Sequence, residues 1–220
     1  MEIMAFAEKV RQLEQFAVEN GAYRARAFPA AGVVIDERVR MKCQIPICPH
    51  YGQTLTCPPN IPTVDEFKKA LALYKDALLI QTRSPISGDI HAYDKEQAIK
   101  FFTAPGKTSK TKGGEKEAGT DDFHSAKVSA ILLNKLVNQV EGRAMALGFP
   151  YALGLIGGEC MLCYECVGAN SKQACRRPYE ARHSMEGVGI DCIRTCTEAG
   201  LSFEIPPKTE IIWSGLILID

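Results

Sequence analysis

The chain has 220 residues, 46% of them hydrophobic, and its 26 basic side chains balance 26 acidic ones. That length suffices to bury an apolar core, and zero formal charge excludes a global field for drawing in nucleic acid. Nine cysteines are an odd number, and no apolar signal core opens the chain, so a secreted disulfide framework is disfavoured. No run approaches the about 18 apolar residues of a membrane span. A reducing cytoplasm is the expected setting, with no membrane and no nucleic acid as partners.

The first predicted element is a helix over 5–20, with Phe6, Val10, Leu13 and Ala17 at helical spacing and Gly21 at its end. Short, β-branched 33–35 reads as a strand leading toward Cys43. The stretch 45–62 holds five prolines and reads as a stiff irregular loop, which preorders ligands. Thr63 and Glu66 form a capping-box pattern for a helix over 63–74. The apolar run 77–81 reads as a buried strand, and 93–102 as a further helix.

Residues 105–120 carry no large apolar side chain and read as a mobile insertion. Gly106-Lys107-Thr108 invites a nucleotide reading, but Phe101 stands where a phosphate loop needs its first glycine. The longest helix is expected over 123–147, with Val128, Ile131, Leu132, Leu136, Val140, Ala144 and Leu147 on one face and Gly148 and Pro150 ending it. Residues 151–156 read as a strand that turns through Gly157-Gly158 into cysteines. A short helix over 190–199 and strands over 201–205 and 210–219 complete the chain. The expectation is one cysteine-rich domain over 1–220. Its class is α/β or α+β: a mixed sheet with packed helices and two cysteine-rich metal-binding loop regions.

The tighter cysteine group reads Cys160-x2-Cys163-x2-Cys166-x8-Cys175. Its first three members have the spacing that wraps a cubic iron–sulfur cluster, and soft thiolates suit iron. The second group is Cys43-x4-Cys48-x8-Cys57, and Cys192 and Cys196 share a face of a predicted helix. Four thiolates saturate a cubic cluster, so nine cysteines meet the demand of two. Cys175 can close the tight group or serve the other one. The fourth ligand of the first group is open between Cys175, Cys192, Cys196 and none. Zinc held by four cysteines is the alternative metal. Two consecutive two-residue gaps favour iron–sulfur over it.

His50 reads as a solvent-facing or supporting residue rather than a ligand, Tyr164 as a side chain packing over a cluster, and Trp213 as a core strand residue. Arg176, Arg177 and Arg182 read as neutralising cluster charge or simply covering the surface, and His183, Glu186 and Asp191 as polar neighbours able to bind substrate or move protons.

Several longer stretches carry a resemblance. They are Lys42-Cys43, Cys48-Pro49-His50-Tyr51-Gly52, Thr56-Cys57-Pro58-Pro59, Cys175-Arg176-Arg177-Pro178, Arg182, Ser184-Met185-Glu186 and Gly189-Ile190-Asp191. Over 23–219 the chain resembles a family of predicted metal-binding, cysteine-rich proteins from anaerobic archaea and bacteria (DUF2284). The resemblance implies metal binding through Cys43, Cys48, Cys57, Cys160, Cys163, Cys166 and Cys175, and no particular reaction. Members often carry an aliphatic residue where this chain has Cys192. The leading expectation is an iron–sulfur protein with two [4Fe-4S] clusters, passing electrons to a redox partner protein. The alternatives are an enzyme with an open-site iron near Cys43, Cys48 and Cys57, or a zinc-stabilised interaction protein. Oligomeric state is left open.

Overall fold

A computed structural model describes residues 5–45, 48–86, 120–163, 166–205 and 207–220. The expected helix over 93–102, the insertion 105–120 up to the helix start at Thr120, the Gly106-Lys107-Thr108 motif and Tyr164 lie outside these residues.

Among the described residues five strands form one mixed sheet: β1 Arg24–Pro29, β2 Asp76–Pro85, β3 Leu153–Ile156, β4 His183–Ser184 and β5 Glu210–Ile219. Their spatial order is β1-β2-β5-β3-β4. β2 and β5 run antiparallel along their full lengths, with Leu78 opposite Ile217 and Ile80 opposite Gly215. β1 joins β2, and β3 joins β5, in the same sense. Of these five strands only β3 and β4 pair in parallel, and their crossover carries the tight cysteine group. Such a crossover is usually a helix. Here its described regular structure is a single 3₁₀ turn at Ala169–Ser171.

Side-chain alternation along β2 and β5 gives the sheet two apolar faces. One face carries Leu78, Ile80, Ile217 and Ile219, covered by α1 Phe6–Glu19 and the long α4 Thr120–Ala146. The other carries Ala77, Leu79, Leu216 and Leu218, covered by α3 Val64–Leu71, α5 Cys192–Glu198 and the turn around Met185. The fifth helix, α2 Glu37–Met41, leads into Cys43. These helices and the mixed sheet make an α+β protein, within the class expected from sequence.

Several helix boundaries follow from local chemistry. Gly21 takes φ +106° after α1, and Gly148 takes φ +96° after α4, conformations that suit glycine at a helix exit. At α3, the Thr63 hydroxyl accepts from the Glu66 N–H while the Glu66 carboxylate accepts from the Thr63 N–H, the reciprocal box read from sequence.

Other expectations are corrected. The early strand is not 33–35 but β1; Ile35 makes only an isolated bridge to Ile190. Val33 is buried by packing on the second core, while Arg24 and Arg26 mark β1 as a charged edge strand. Residues 201–205 join no ladder; Leu201 packs into the second core and its carbonyl accepts from Gln81. On α4 the buried residues are Ala126, Ser129, Leu133, Asn134, Leu136, Val137, Val140 and Ala144, whereas Val128 is 52% exposed and Leu132 also lies outside the core. Large apolar residues occur all round this helix, so periodicity alone leaves its inner face ambiguous. Glycines on the sheet decide it: a Cβ at Gly215 or Gly154 would lie 2.6 or 2.7 Å from Val137 methyls. Val137 therefore seats in a notch made by two glycines on neighbouring strands.

Candidate metal centre

Both cysteine groups gather where β3 and β4 end. The β3 chain leaves through Gly157, whose N–H donates to the Ser214 carbonyl at 2.8 Å, and passes Gly158 and Glu159 to Cys160. A Cβ at Gly157 would come within 2.7 Å of that carbonyl, so the turn hugs β5. The proline-rich loop lies against the same edge. Ser184 N–H donates to the Thr56 carbonyl at 3.1 Å, and Ala169 N–H donates to the Gln53 carbonyl at 2.8 Å. Each cysteine loop thus uses the other's backbone as a wall.

Cys160, Cys163, Cys166 and Cys175 all line one small cavity of about 20 Å³, together with Thr54, Thr56 and Arg177. All nine cysteines are free thiols. Burial pushes the Cys160 thiol up to about 11, and the neighbouring Cys163, Cys175 and Cys166 add to the effect. Cys175 Sγ accepts from the Arg177 N–H at 3.4 Å, while the Arg177 guanidinium pairs with Glu180. Among the described residues, no three or more His, Cys, Asp or Glu side chains stand close enough to hold a metal ion without rearrangement.

The first group occupies tight turns. Asp36 caps α2 by accepting from the Arg38 N–H, and its hydrogen bonds from the Arg38 guanidinium, with that N–H second, hold its carboxyl down to about 2. Cys48 N–H donates to the Cys43 carbonyl at 3.0 Å, and Cys57 is buried where the chain enters the cis Pro58–Pro59 peptide. Burial pushes Cys57 up to about 12, with Glu159, Cys48 and Cys43 adding to it. Cys43 is also raised by burial, then by Cys48 and Glu186. The three thiols therefore lie within electrostatic reach of one another and of two carboxylates.

His50 is 5% exposed, and its Nε2 stands 3.5 Å from Glu159 Oε1 without a hydrogen bond. Burial raises the Glu159 carboxyl and His50 opposes the rise. This pair joins the residue before Cys160 to the loop after Cys48, so it sits at the seam between the two groups.

Cys196 is fully buried on the sheet, in contact with Gln81 Nε2 at 3.7 Å and Ser214 Oγ at 3.5 Å. Cys192, at the start of the same helix, donates to the Ile190 carbonyl at 3.9 Å, and its thiol pKa is raised by burial and by the negative charge of Glu186. The two cysteines of α5 thus meet different surroundings. Arg182 pairs with Glu141 of α4 and braces the turn before β4. His183 has its pKa lowered by burial and by Arg182. Asp191 caps α5 through the Arg194 N–H. Trp213 lies on β5 against the first core and within 3.1 Å of a Cβ placed at Gly158.

Two residues gain a role that spacing alone did not reveal. Glu159 was hidden because an acid after two glycines looks like ordinary turn composition. Arg40 was hidden in a charged run, yet its guanidinium donates to the carbonyls of both Pro62 and Gly187, tying α2 to the chain after Cys57 and to the turn after β4.

The chain belongs to the family described as predicted metal-binding protein (DUF2284), whose model matches residues 26–219. No curated protein and no solved structure matches it.

Proposed function

We propose, from membership of this predicted metal-binding family, that the protein is an iron–sulfur protein holding two [4Fe-4S] clusters and serving cytoplasmic electron transfer to a redox partner protein. The observation that supports it best is the convergence of Cys160, Cys163, Cys166 and Cys175 on one cavity. Four soft donors around one space suit a thiolate-bound iron centre, and they favour local closure by Cys175 over a crossed arrangement. Cys43, Cys48 and Cys57 would hold the second centre.

The residues fit such groups in two further ways. The β3–β4 crossover has little regular structure of its own, and long irregular loops inside compact folds are usually functional. Metal binding can supply the ordering that a crossover helix would otherwise give. A bound cluster would supply one-electron redox chemistry. The chain itself buries Cys57, positions Arg177 beside the quartet and sets the His50–Glu159 pair between the two groups.

A second reading, an open-site iron at Cys43, Cys48 and Cys57, is favoured by one observation: the groups near that trio include carboxylates as well as thiols. Anaerobic purification with iron, sulfide and zinc counting tests the proposal. About eight irons with equal sulfide per chain is the expected result for two cubic clusters. Stoichiometric zinc without sulfide would reject it in favour of a structural zinc site.

A further inference from the structure

We infer that the Thr56 hydroxyl donates a hydrogen bond to the centre held by Cys160, Cys163, Cys166 and Cys175, and that this bond raises the reduction potential of that centre. The inference rests on the reading above that the quartet binds an iron–sulfur cluster. Thr56 is a positioning residue here: it acts through the ligand sulfurs and is not itself a ligand.

An orphaned polar atom in the wall of the cavity carries it. Thr56 lines the same cavity as the four cysteines and is 7% exposed. Its Oγ1 is buried and has no hydrogen-bond partner. An unpaired buried hydroxyl is costly, and a native fold rarely keeps one without a reason. The other polar side chains of that wall are engaged. The Thr54 hydroxyl donates to the His50 carbonyl at 3.5 Å, and the Arg177 guanidinium pairs with Glu180 at 3.0 Å. Leu55, Leu162 and Ala181 make the rest of the wall apolar, and a hydrogen bond gains strength in such surroundings.

The residue is held from behind. Its carbonyl accepts from the Ser184 N–H at 3.1 Å, which ties it to β4, and the Cys57 N–H donates to the Thr54 carbonyl at 3.5 Å. A β-branched side chain has few rotamers, while the O–H bond itself can turn to suit its acceptor. A neutral thiol is a weak acceptor, whereas a sulfur bound to iron carries negative charge and accepts a stronger bond. The hydroxyl therefore gains its partner when the quartet is loaded. Hydrogen bonds to the sulfurs are one of the levers on a cluster's potential. Reduction adds negative charge to the centre, so a donor aimed at its sulfurs favours the reduced form. Thr56 also precedes Cys57, so the loop that carries Cys57 supplies this donor to the other group's centre.

The experiment uses the full chain, purified anaerobically, as wild type, Thr56→Val, Thr56→Ser and Cys163→Ser. Iron, sulfide and zinc are counted, and low-temperature electron paramagnetic resonance follows a redox titration. Cys163→Ser identifies the quartet's signal as the one it removes. Thr56→Val keeps the side chain's shape and deletes the donor. It should hold as much iron and sulfide as wild type and lower the potential of the quartet's signal. Loss of one such bond corresponds to about a tenfold fall in the reduced-to-oxidised ratio at fixed potential, about 59 mV for a one-electron couple. Thr56→Ser keeps the hydroxyl and should keep the wild-type potential. Pulsed measurements in heavy water should find an exchangeable proton coupled to the reduced quartet centre in wild type and missing from Thr56→Val. An unmoved or raised potential in Thr56→Val overturns the inference, as does an equal shift in Thr56→Val and Thr56→Ser, which assigns the effect to packing. Loss of the quartet's iron in Thr56→Val assigns Thr56 a structural role and also overturns it. Zinc without sulfide in wild type sinks the iron–sulfur reading, and the inference with it.

Discussion

Burial holds the thiols of Cys43, Cys57, Cys160 and Cys192 above the ordinary thiol value of 9.0, Cys57 to about 12 and Cys160 to about 11. The folded chain therefore favours the neutral thiol. That contribution to stability is complete below the unfolded value and is lost as pH rises through the folded ones. Chelated protein should keep a constant denaturation midpoint between about pH 8 and pH 9 and lose stability between there and about pH 12; a midpoint that climbs across this window has the opposite sign and contradicts the assignment. Metal uptake has to displace those protons, so loading should release acid and strengthen with pH. Cysteine substitutions separate ligand from core. Cys163→Ser should cost the quartet its iron and sulfide, since Cys163 lines the shared cavity. Cys196→Ala should keep the metal content and cost about 1 kcal/mol of stability, because its thiol is a core contact. Equal metal content in Cys163→Ser and wild type would remove the quartet assignment.

The elements show which local signals survive folding. The Thr63–Glu66 box acts within one turn, so its pattern in sequence becomes the same pair of hydrogen bonds in α3. α4 differs: its inner face is chosen by the sheet, where Gly154 and Gly215 make room for Val137. Gly215→Ala places a methyl 2.6 Å from Val137 Cγ2 and 3.1 Å from the Leu155 carbonyl. Overpacking at that point should lower stability by about 1–3 kcal/mol, read from urea unfolding. Pairing it with Val137→Ala should recover part of the loss, since the added methyl then has space; no recovery would place the strain against the backbone instead. β1 is the converse of α3. Its charged and small residues carry a weak strand signal, and only pairing with β2 makes it a strand.

At the scale of the molecule, two apolar faces anchor one sheet, and the cysteine loops hang on its β3–β4 edge. The sheet holds together through aliphatic packing that involves no metal. The loops have few such contacts and lean on each other through Gln53–Ala169 and Thr56–Ser184. Anaerobic removal of metal should therefore leave far-ultraviolet circular dichroism nearly unchanged while limited proteolysis opens 157–182 and 43–62 first. Global unfolding on chelation would show instead that metal binding is coupled to the whole fold. Among the described residues no helix is long and apolar enough to cross a membrane.

The sequence by itself determined the features whose causes are local. Helical periodicity located α1 and α4, a side-chain pattern capped α3, an apolar run marked β2, and cysteine spacing grouped Cys160, Cys163 and Cys166. It also carried the family signature that metal binding rests on. Tertiary structure alone decided the relations between distant segments. It set Cys175 beside the tight trio, because the crossover returns to the same edge before β4. It gave Cys192 and Cys196, which share a helix face, different partners, because one thiol meets the Ile190 carbonyl and the other meets Gln81 and Ser214. It brought Glu159 to His50, a pair that lies far apart in the chain and leaves no periodic trace. Periodicity reports which face a segment buries; it carries no information about which other segment will cover that face.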